Sequence, residues 1–399
     1  MADGTTELRP RQRNRTPART QFPLPPPLQK MFDRGQANLA EPFTGITTDG
    51  AAVPNLYRLE KTGLSLQPVV DAAAAYLAAL TPAQRDSTSF PLDDAAWRAW
   101  NNIHAFLMRH GLGMFDLDQG QREGALALVR ASLSASGYRT ARDVMKLNEH
   151  IMELTNRPDE YGEWNYWVSI MGTPSTSEPW GWQIDGHHLI INCFVLGDQI
   201  VLTPNFMGSE PVYAASGKYA GTRVFAEEEA RGFAVMAALT DAQRAQATIG
   251  LKLPFDVMAT AFSDNLVMPY QGVAYRDMTS EQRAQIEHLI GLYVGRIRPG
   301  HAELRWNEVK RHLDATHFAW IGQFDDLSPF YYRVHNPVVL IEFDHQPGIA
   351  LDNDEPTRRH VHTLVRTPNG NDYGKDLLRQ HYAQFDHGNP GSPHRQGKV

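Results

Sequence analysis

His360 and His362 stand two residues apart in the run His360-Val361-His362-Thr363-Leu364-Val365-Arg366. In an extended strand both imidazoles leave the same face, close enough to share one ion. Glu342 sits in the preceding apolar run, Val338-Val339-Leu340-Ile341-Glu342-Phe343. If the two runs pair through the loop at 352–359, its carboxylate reaches the same point. Two imidazoles and one carboxylate bind divalent Zn, Fe, Mn or Cu and leave positions open for water or substrate, the pattern of a catalytic rather than a structural site. The competing interpretation is a pair of histidines that face solvent or bond to nearby carbonyls.

A second histidine pair, in Asp185-Gly186-His187-His188, stands at the mouth of another strand. Strand alternation sends its two imidazoles to opposite faces, so that either His187 or His188 can join the ion and the other supports it or faces outward. Trp180 and Trp182 lie just ahead of this pair, and Trp320, Tyr331 and Tyr332 ahead of Glu342. Such aromatic density can wall a substrate pocket, or it can be ordinary core. Arg333 and Arg366 can grip a substrate carboxylate, or serve as buried partners of Asp372 or Glu342. Gln183 is a polar substrate contact by position alone.

The elements that must position these groups alternate in blocks. Residues 68–156 are helical in pattern, with starts at Val69, Asp93 and Gly124. Residues 163–206 turn to aromatic and β-branched residues, and Gly197-Asp198 between two apolar runs marks a hairpin. Helices return over 226–247 and 279–314, strands over 318–366, and a last helix over 375–385. Thr81, Thr240 and Thr279 each precede a glutamine by three residues, the capping-box signature of a helix start. The recurrence is compatible with an internal duplication, although capping chemistry alone accounts for it. Strand blocks that follow one another without helices between them predict an α+β fold, with a mainly antiparallel sheet carrying the site and helices packed around it.

Composition narrows the function. The 399 residues are 42% hydrophobic and carry a formal charge of −7, so no overall positive field exists to hold nucleic acid. One cysteine, Cys193, excludes an internal disulfide and a multi-thiolate zinc site, and its place in an apolar strand makes it core filler. Arginines and prolines crowd the N-terminus without the apolar core of a secretory leader, which predicts a disordered arm over 1–35 and a cytoplasmic protein with no membrane partner. One globular domain over 36–386 and a flexible tail over 387–399 complete the expected organisation. Dinucleotide, phosphate-loop, Gly-x-Ser-x-Gly and His-Glu-x-x-His signatures are all missing.

Several strings, taken together and in order, resemble the domain-of-unknown-function family 3500. They are Trp180-Gly181-Trp182-Gln183, Gly186-His187-His188-Leu189, Thr203-Pro204-Asn205-Phe206-Met207-Gly208, Phe330-Tyr331-Tyr332-Arg333, residues 337–342, His360-Val361-His362-Thr363 and Asn371-Asp372-Tyr373-Gly374. The resemblance spans roughly residues 60 to 385 as one unit and implies that the His and Glu strings belong together. It supplies neither substrate nor reaction. After His-x-His-Thr the chain departs from the family's usual Arg-Asp-Pro turn, with Arg366-Thr367-Pro368 in its place. The expected function is a metal-dependent enzyme acting on a small organic substrate, an anionic one where Arg333 or Arg366 orients it. A hydrolytic route leads, with a non-haem iron or copper oxygenase and a non-catalytic binding protein as alternatives.

Overall fold

Thr81, Thr240 and Thr279 each accept the backbone N–H of the glutamine three positions on, and that glutamine's side chain returns to the Thr N–H. Asp118 and Gln121 close a fourth box, which a search for threonine misses. Each box satisfies amides otherwise bare at a helix start. The glutamines also tie helices together: Gln121 donates to Ala79 O at 3.0 Å and to Gln84, and Gln282 donates to Ala238 O at 2.9 Å and to Gln243.

The computed structural model describes residues 9–11, 26–102 and 109–385. Its α-helices are α1 (Pro26–Ala40), α2 (Gln67–Ala79), α3 (Pro82–Thr88), α4 (Gln119–Ser132), α5 (Ala135–Thr155), α6 (Ala226–Ala238), α7 (Asp241–Ala247), α8 (Ser280–Val294), α9 (His301–Lys310) and α10 (Lys375–Gln384). Its strands are β1 (Ser89–Phe90), β2 (Leu112–Gly113), β3 (Tyr166–Met171), β4 (Trp180–Gly186), β5 (Leu189–Leu196), β6 (Gln199–Val201), β7 (Asn205–Ser209), β8 (Thr248–Gly250), β9 (Val273–Ala274), β10 (His317–Gly322), β11 (Phe330–His335), β12 (Leu340–Gln346) and β13 (Thr357–Arg366). They form one mixed sheet in the order β1-β3-β4-β5-β7-β13-β12-β11-β10-β8, with β2, β6 and β9 added to β3, β5 and β10. All contacts are antiparallel except β1 with β3 and β8 with β10. The sheet is therefore mostly, not purely, antiparallel, because each short strand that follows α3 or α7 returns beside its neighbour in the same direction.

That order reads the same from either edge, and the register repeats as well. Gln183 opposes Asn192 on β4 and β5, and 150 positions later Arg333 opposes Glu342 on β11 and β12. Trp182 opposes Ile170, and Tyr332 opposes Trp320 at the same shift. The recurring capping boxes thus belong to two copies of one arrangement, joined where β7 pairs with β13.

Three expectations change. The helix expected from Asp93 is one 3-10 turn, Ala95–Arg98, capped by Asp94. Residues 26–35, expected in a disordered arm, lie in α1. Pro10 bridges to Leu351, and the Arg11 guanidinium donates to Gly348 O and Asn353 O. Residues 1–8, 12–25 and the expected tail at 387–399 lie outside the described residues. No helix among the described residues is long and apolar enough to cross a membrane.

Because Gln121 and Gln282 are buried and each bonds to two helices, Gln121→Ala and Gln282→Ala should each lower stability by about 2 kcal/mol in urea unfolding. Thr240→Ala, which removes one exposed cap, should cost about 1 kcal/mol.

Candidate metal centre

β4 and β5 are joined by a two-residue turn, His187-His188, closed by the pair Gly186 and Leu189. His188 takes the left-handed conformation, φ 63°, that such tight turns require. Its carbonyl accepts the Gly208 N–H of β7 at 2.8 Å, and Gly208 in turn opposes His362 of β13. His188, Gly208 and His362 thus lie in a row with no side chain in the middle, and the two imidazoles meet above the glycine. A Cβ at position 208 would stand 2.8 Å from His362 Cδ2 and 3.0 Å from His188 Cδ2. His360 arrives through an irregularity: Val361 opposes His345, but the next partner of β12, Gln346, opposes Thr357. Bulged strands re-aim side chains in this way.

The three Nε2 atoms converge. His188 and His360 are 3.1 Å apart, His188 and His362 3.0 Å, and His360 and His362 3.0 Å. All three residues are buried. His360 Nδ1 donates to Pro347 O at 2.7 Å and His362 Nδ1 to Asp256 Oδ1 at 2.7 Å. Those acceptors fix the proton on Nδ1, so both Nε2 atoms present bare lone pairs to each other. Burial, and then the neighbouring His362, hold His360 well below the ordinary imidazole range, so a second proton on His360 itself does not relieve the conflict at neutral pH. A divalent cation does. Nitrogens about 3 Å apart are what one coordination sphere with bonds of roughly 2.0–2.1 Å produces. Among the described residues no carboxylate or thiol joins this group.

The structure does not bring Glu342 to that point. Glu342 opposes Leu364 rather than a histidine, and its oxygens accept from Met258 N and Ala259 N, both at 2.8 Å, and from Tyr331 Oη at 2.6 Å. The residue across from His362 is Asp344. His187 also stays outside the group: its Nδ1 faces Asn148 Oδ1 at 2.8 Å, and its ring lies on that of His188 with centroids 3.9 Å apart. The two rings lie against each other, tilted by 31°, instead of pointing to opposite faces, because they occupy a turn, not a strand.

The other expected contacts are committed elsewhere. Trp180, Trp182, Trp320 and Tyr332 share the sheet face of Thr363 and Val365, opposite to His362. There Trp182 donates to Ser132 of α4, Trp320 stacks on Phe330 and Tyr332 bonds to Tyr293 of α8, so they form helix-covered core and not a pocket wall at the histidines. Tyr331 is on the histidine face, bound to Glu342. Arg366 donates to Ala259 O, Thr260 O, Asp264 and Asp372. Of its two expected uses, the buried partner of Asp372 is the one present. Arg333 donates to Gln271 at 2.8 Å. Gln183 is held by Asn192, Trp97 O and His110. Cys193 is buried, its thiol pushed up to about 12 by desolvation, in keeping with core filler.

Three participants escape the sequence pattern. Asp256 orients His362 from a loop with no motif of its own. Gly208 matters only because two rings meet above it. Asp344 shares the face of Glu342 two residues on, and antiparallel counting finds it only once the β12–β13 register is known. Its carboxyl is pushed well above the usual range by burial and by the nearby Asp256 and Glu342, and its Oδ1 has no hydrogen-bond partner.

The chain belongs to the family described as a protein of unknown function, DUF3500, whose profile matches residues 62–375. No curated protein and no solved structure matches it.

Gly208→Ala places a methyl group against both imidazoles. Zinc affinity, measured by competition with a chelating dye, should fall at least about tenfold, roughly the effect of disturbing a ligand's orientation.

Proposed function

We propose that His188, His360 and His362 hold one divalent metal ion and that the protein is a metal-dependent enzyme acting hydrolytically on a small organic substrate. The observation that carries this reading is the convergence of three buried Nε2 atoms, two of them with tautomers fixed by a carbonyl and a carboxylate behind them. Three neutral ligands leave the ion's charge undiminished, the condition under which a bound water ionises near pH 7. A metal with three protein ligands would keep coordination positions for a water and a substrate oxygen.

Asp344 supplies the complementary group. Its carboxyl, pushed well above the usual range by burial and then by Asp256 and Glu342, stands across from His362 and would give a proton to a leaving group, while a bound metal would supply an activated water. Glu342 and Arg366 act at one remove. Glu342 accepts two N–H groups, and Arg366 donates to two carbonyls, of the loop at 256–264. They position Asp256, and through it His362.

Chelation followed by titration with Zn, Fe(II), Mn or Cu should give one ion per chain. His188→Ala, His360→Ala and His362→Ala should each weaken binding at least about tenfold, whereas Glu342→Gln and Asp344→Asn should keep the ion. In the metal-restored protein, hydrolysis of a panel of activated esters and amides should vanish on chelation and drop about 100-fold in Asp344→Asn. Dioxygen uptake by the Fe- or Cu-loaded protein without hydrolysis would replace this reading with an oxygenase. Unchanged metal content in a folded His360→Ala variant would remove the metal altogether and favour a binding protein.

A further inference from the structure

Residues 9–11 add a short extended segment to the loop between β12 and β13. Arg11 N donates to Ala350 O at 2.8 Å, Asp352 N donates to Arg9 O at 2.9 Å, and Pro10 bridges to Leu351 between them. Pro10 takes the position of an antiparallel pair that makes no ladder bonds, so its missing N–H costs nothing there. Arg9 N also donates to Asp352 Oδ1 at 3.0 Å, and Arg157 donates to the Arg11 carbonyl at 2.9 Å.

Two charged side chains from distant parts of the chain grip this loop. Glu210 of the segment after β7, 2% exposed, accepts the N–H groups of Ile349, Ala350 and Leu351. Arg11 takes the carbonyls: its guanidinium donates to Gly348 O at 3.1 Å and to Asn353 O at 2.8 Å, and pairs with Asp354 at 2.8 Å.

Those carbonyls bear on a metal-site histidine. The peptide unit between Pro347 and Gly348 turns its oxygen to His360 Nδ1 at 2.7 Å and its N–H to Asn353 O at 2.8 Å. Asn353 O thus receives that N–H and the Arg11 guanidinium together. A peptide unit is planar and rotates as one body, so an anchor on its N–H also sets the direction of its oxygen. Gly348 permits the tight closure, since a Cβ there would stand 2.5 Å from Leu351 O.

We infer that Arg11 is a positioning residue for the metal site: by clamping Gly348 O and Asn353 O it keeps the Pro347 carbonyl on His360 Nδ1, and so keeps the His360 Nε2 lone pair aimed at the ion. The inference rests on the metal reading. It gives the N-terminal segment a part in a site formed some 340 residues away in sequence. Charge alone works in the opposite direction, because removing a nearby cation favours a bound metal ion, whereas losing the clamp disfavours it.

Zinc competition with a chelating dye, on the full chain, tests the assignment. Arg11→Ala should lower zinc affinity about fivefold, less than the roughly tenfold or greater loss expected when a ligand's own hydrogen-bond partner is removed. Asp354→Asn, which takes away the exposed partner of Arg11 and none of the carbonyl bonds, should stay within about twofold of the unchanged chain. The decisive comparison is a double-mutant cycle: Arg11→Ala should cost less than about twofold once His360 is alanine, and its full fivefold or so in a His188→Ala background. A merely structural arm would weaken binding equally in both. Equal losses in the two backgrounds, or unchanged or tighter zinc binding in Arg11→Ala, would overturn the inference while leaving the three-histidine site in place. Absence of zinc binding by the unchanged chain would remove the metal reading itself, and the role of Arg11 with it.

Discussion

Three imidazole nitrogens, each within 3.1 Å of the other two, form an arrangement that neutral histidines do not adopt for their own sake. With protons fixed on the far nitrogens of His360 and His362, lone pair faces lone pair, and burial removes the water that would screen them. The fold holds this unfavourable contact from three directions. A tight turn presents His188, a bulged strand end presents His360, and a regular strand position presents His362 above a glycine. A cation that binds only the folded arrangement turns the conflict into stability, worth about 4 kcal/mol at a thousand times its dissociation constant.

The charged residues buried around the site follow from the same requirement. The loop at 256–264 has little regular structure to fix it, yet it must bring Asp256 within 2.7 Å of His362. Glu342 holds its N–H groups and Arg366 its carbonyls. Burial works against the Arg366 charge, but Asp264 and Asp372 more than offset it and raise its pKa. Asp264 in turn takes Arg98 and the Tyr373 hydroxyl. A residue in the right strand and of the right type for a ligand, Glu342, thus serves the site by fixing the loop that orients a ligand.

How much of this was legible depends on the range of the physics involved. The capping boxes, the Gly197-Asp198 hairpin and the same-face placement of His360 and His362 are local, and the local pattern contains them. Glu342 against Asp344 is a question of register, decided by how a loop of about ten residues closes, and no pattern within either strand settles it. Trp182 and Tyr332 were placed beside the site by their neighbours in sequence, whereas strand parity sends them to the other face. His187 and His188 follow strand alternation on paper, but a two-residue turn has no alternation to follow. The duplication was hidden because the second copy keeps the register and not the chemistry: Trp182 answers to Tyr332, Gln183 to Arg333 and Asn192 to Glu342.

That divergence bears on where the site sits. By the same register, the counterpart of His188 is Val338, and the counterpart of His362 is Val201, which lies across from Phe194 as His362 lies across from Asp344. Among the described residues neither copy contains a second group placed to hold a metal. His188 comes from the turn of the first copy and His360 and His362 from the last strand of the second, and they meet only because β7 and β13 pair at the seam. An ion bound there ties the two copies together at their one shared strand contact, so its binding energy acts on the joint between the repeats rather than within either. A metal ion held by these three histidines would have to follow the pairing of the halves. The resulting asymmetry, one site where the architecture offers two equivalent places, is what a duplicated sheet gains once its copies are free to differ.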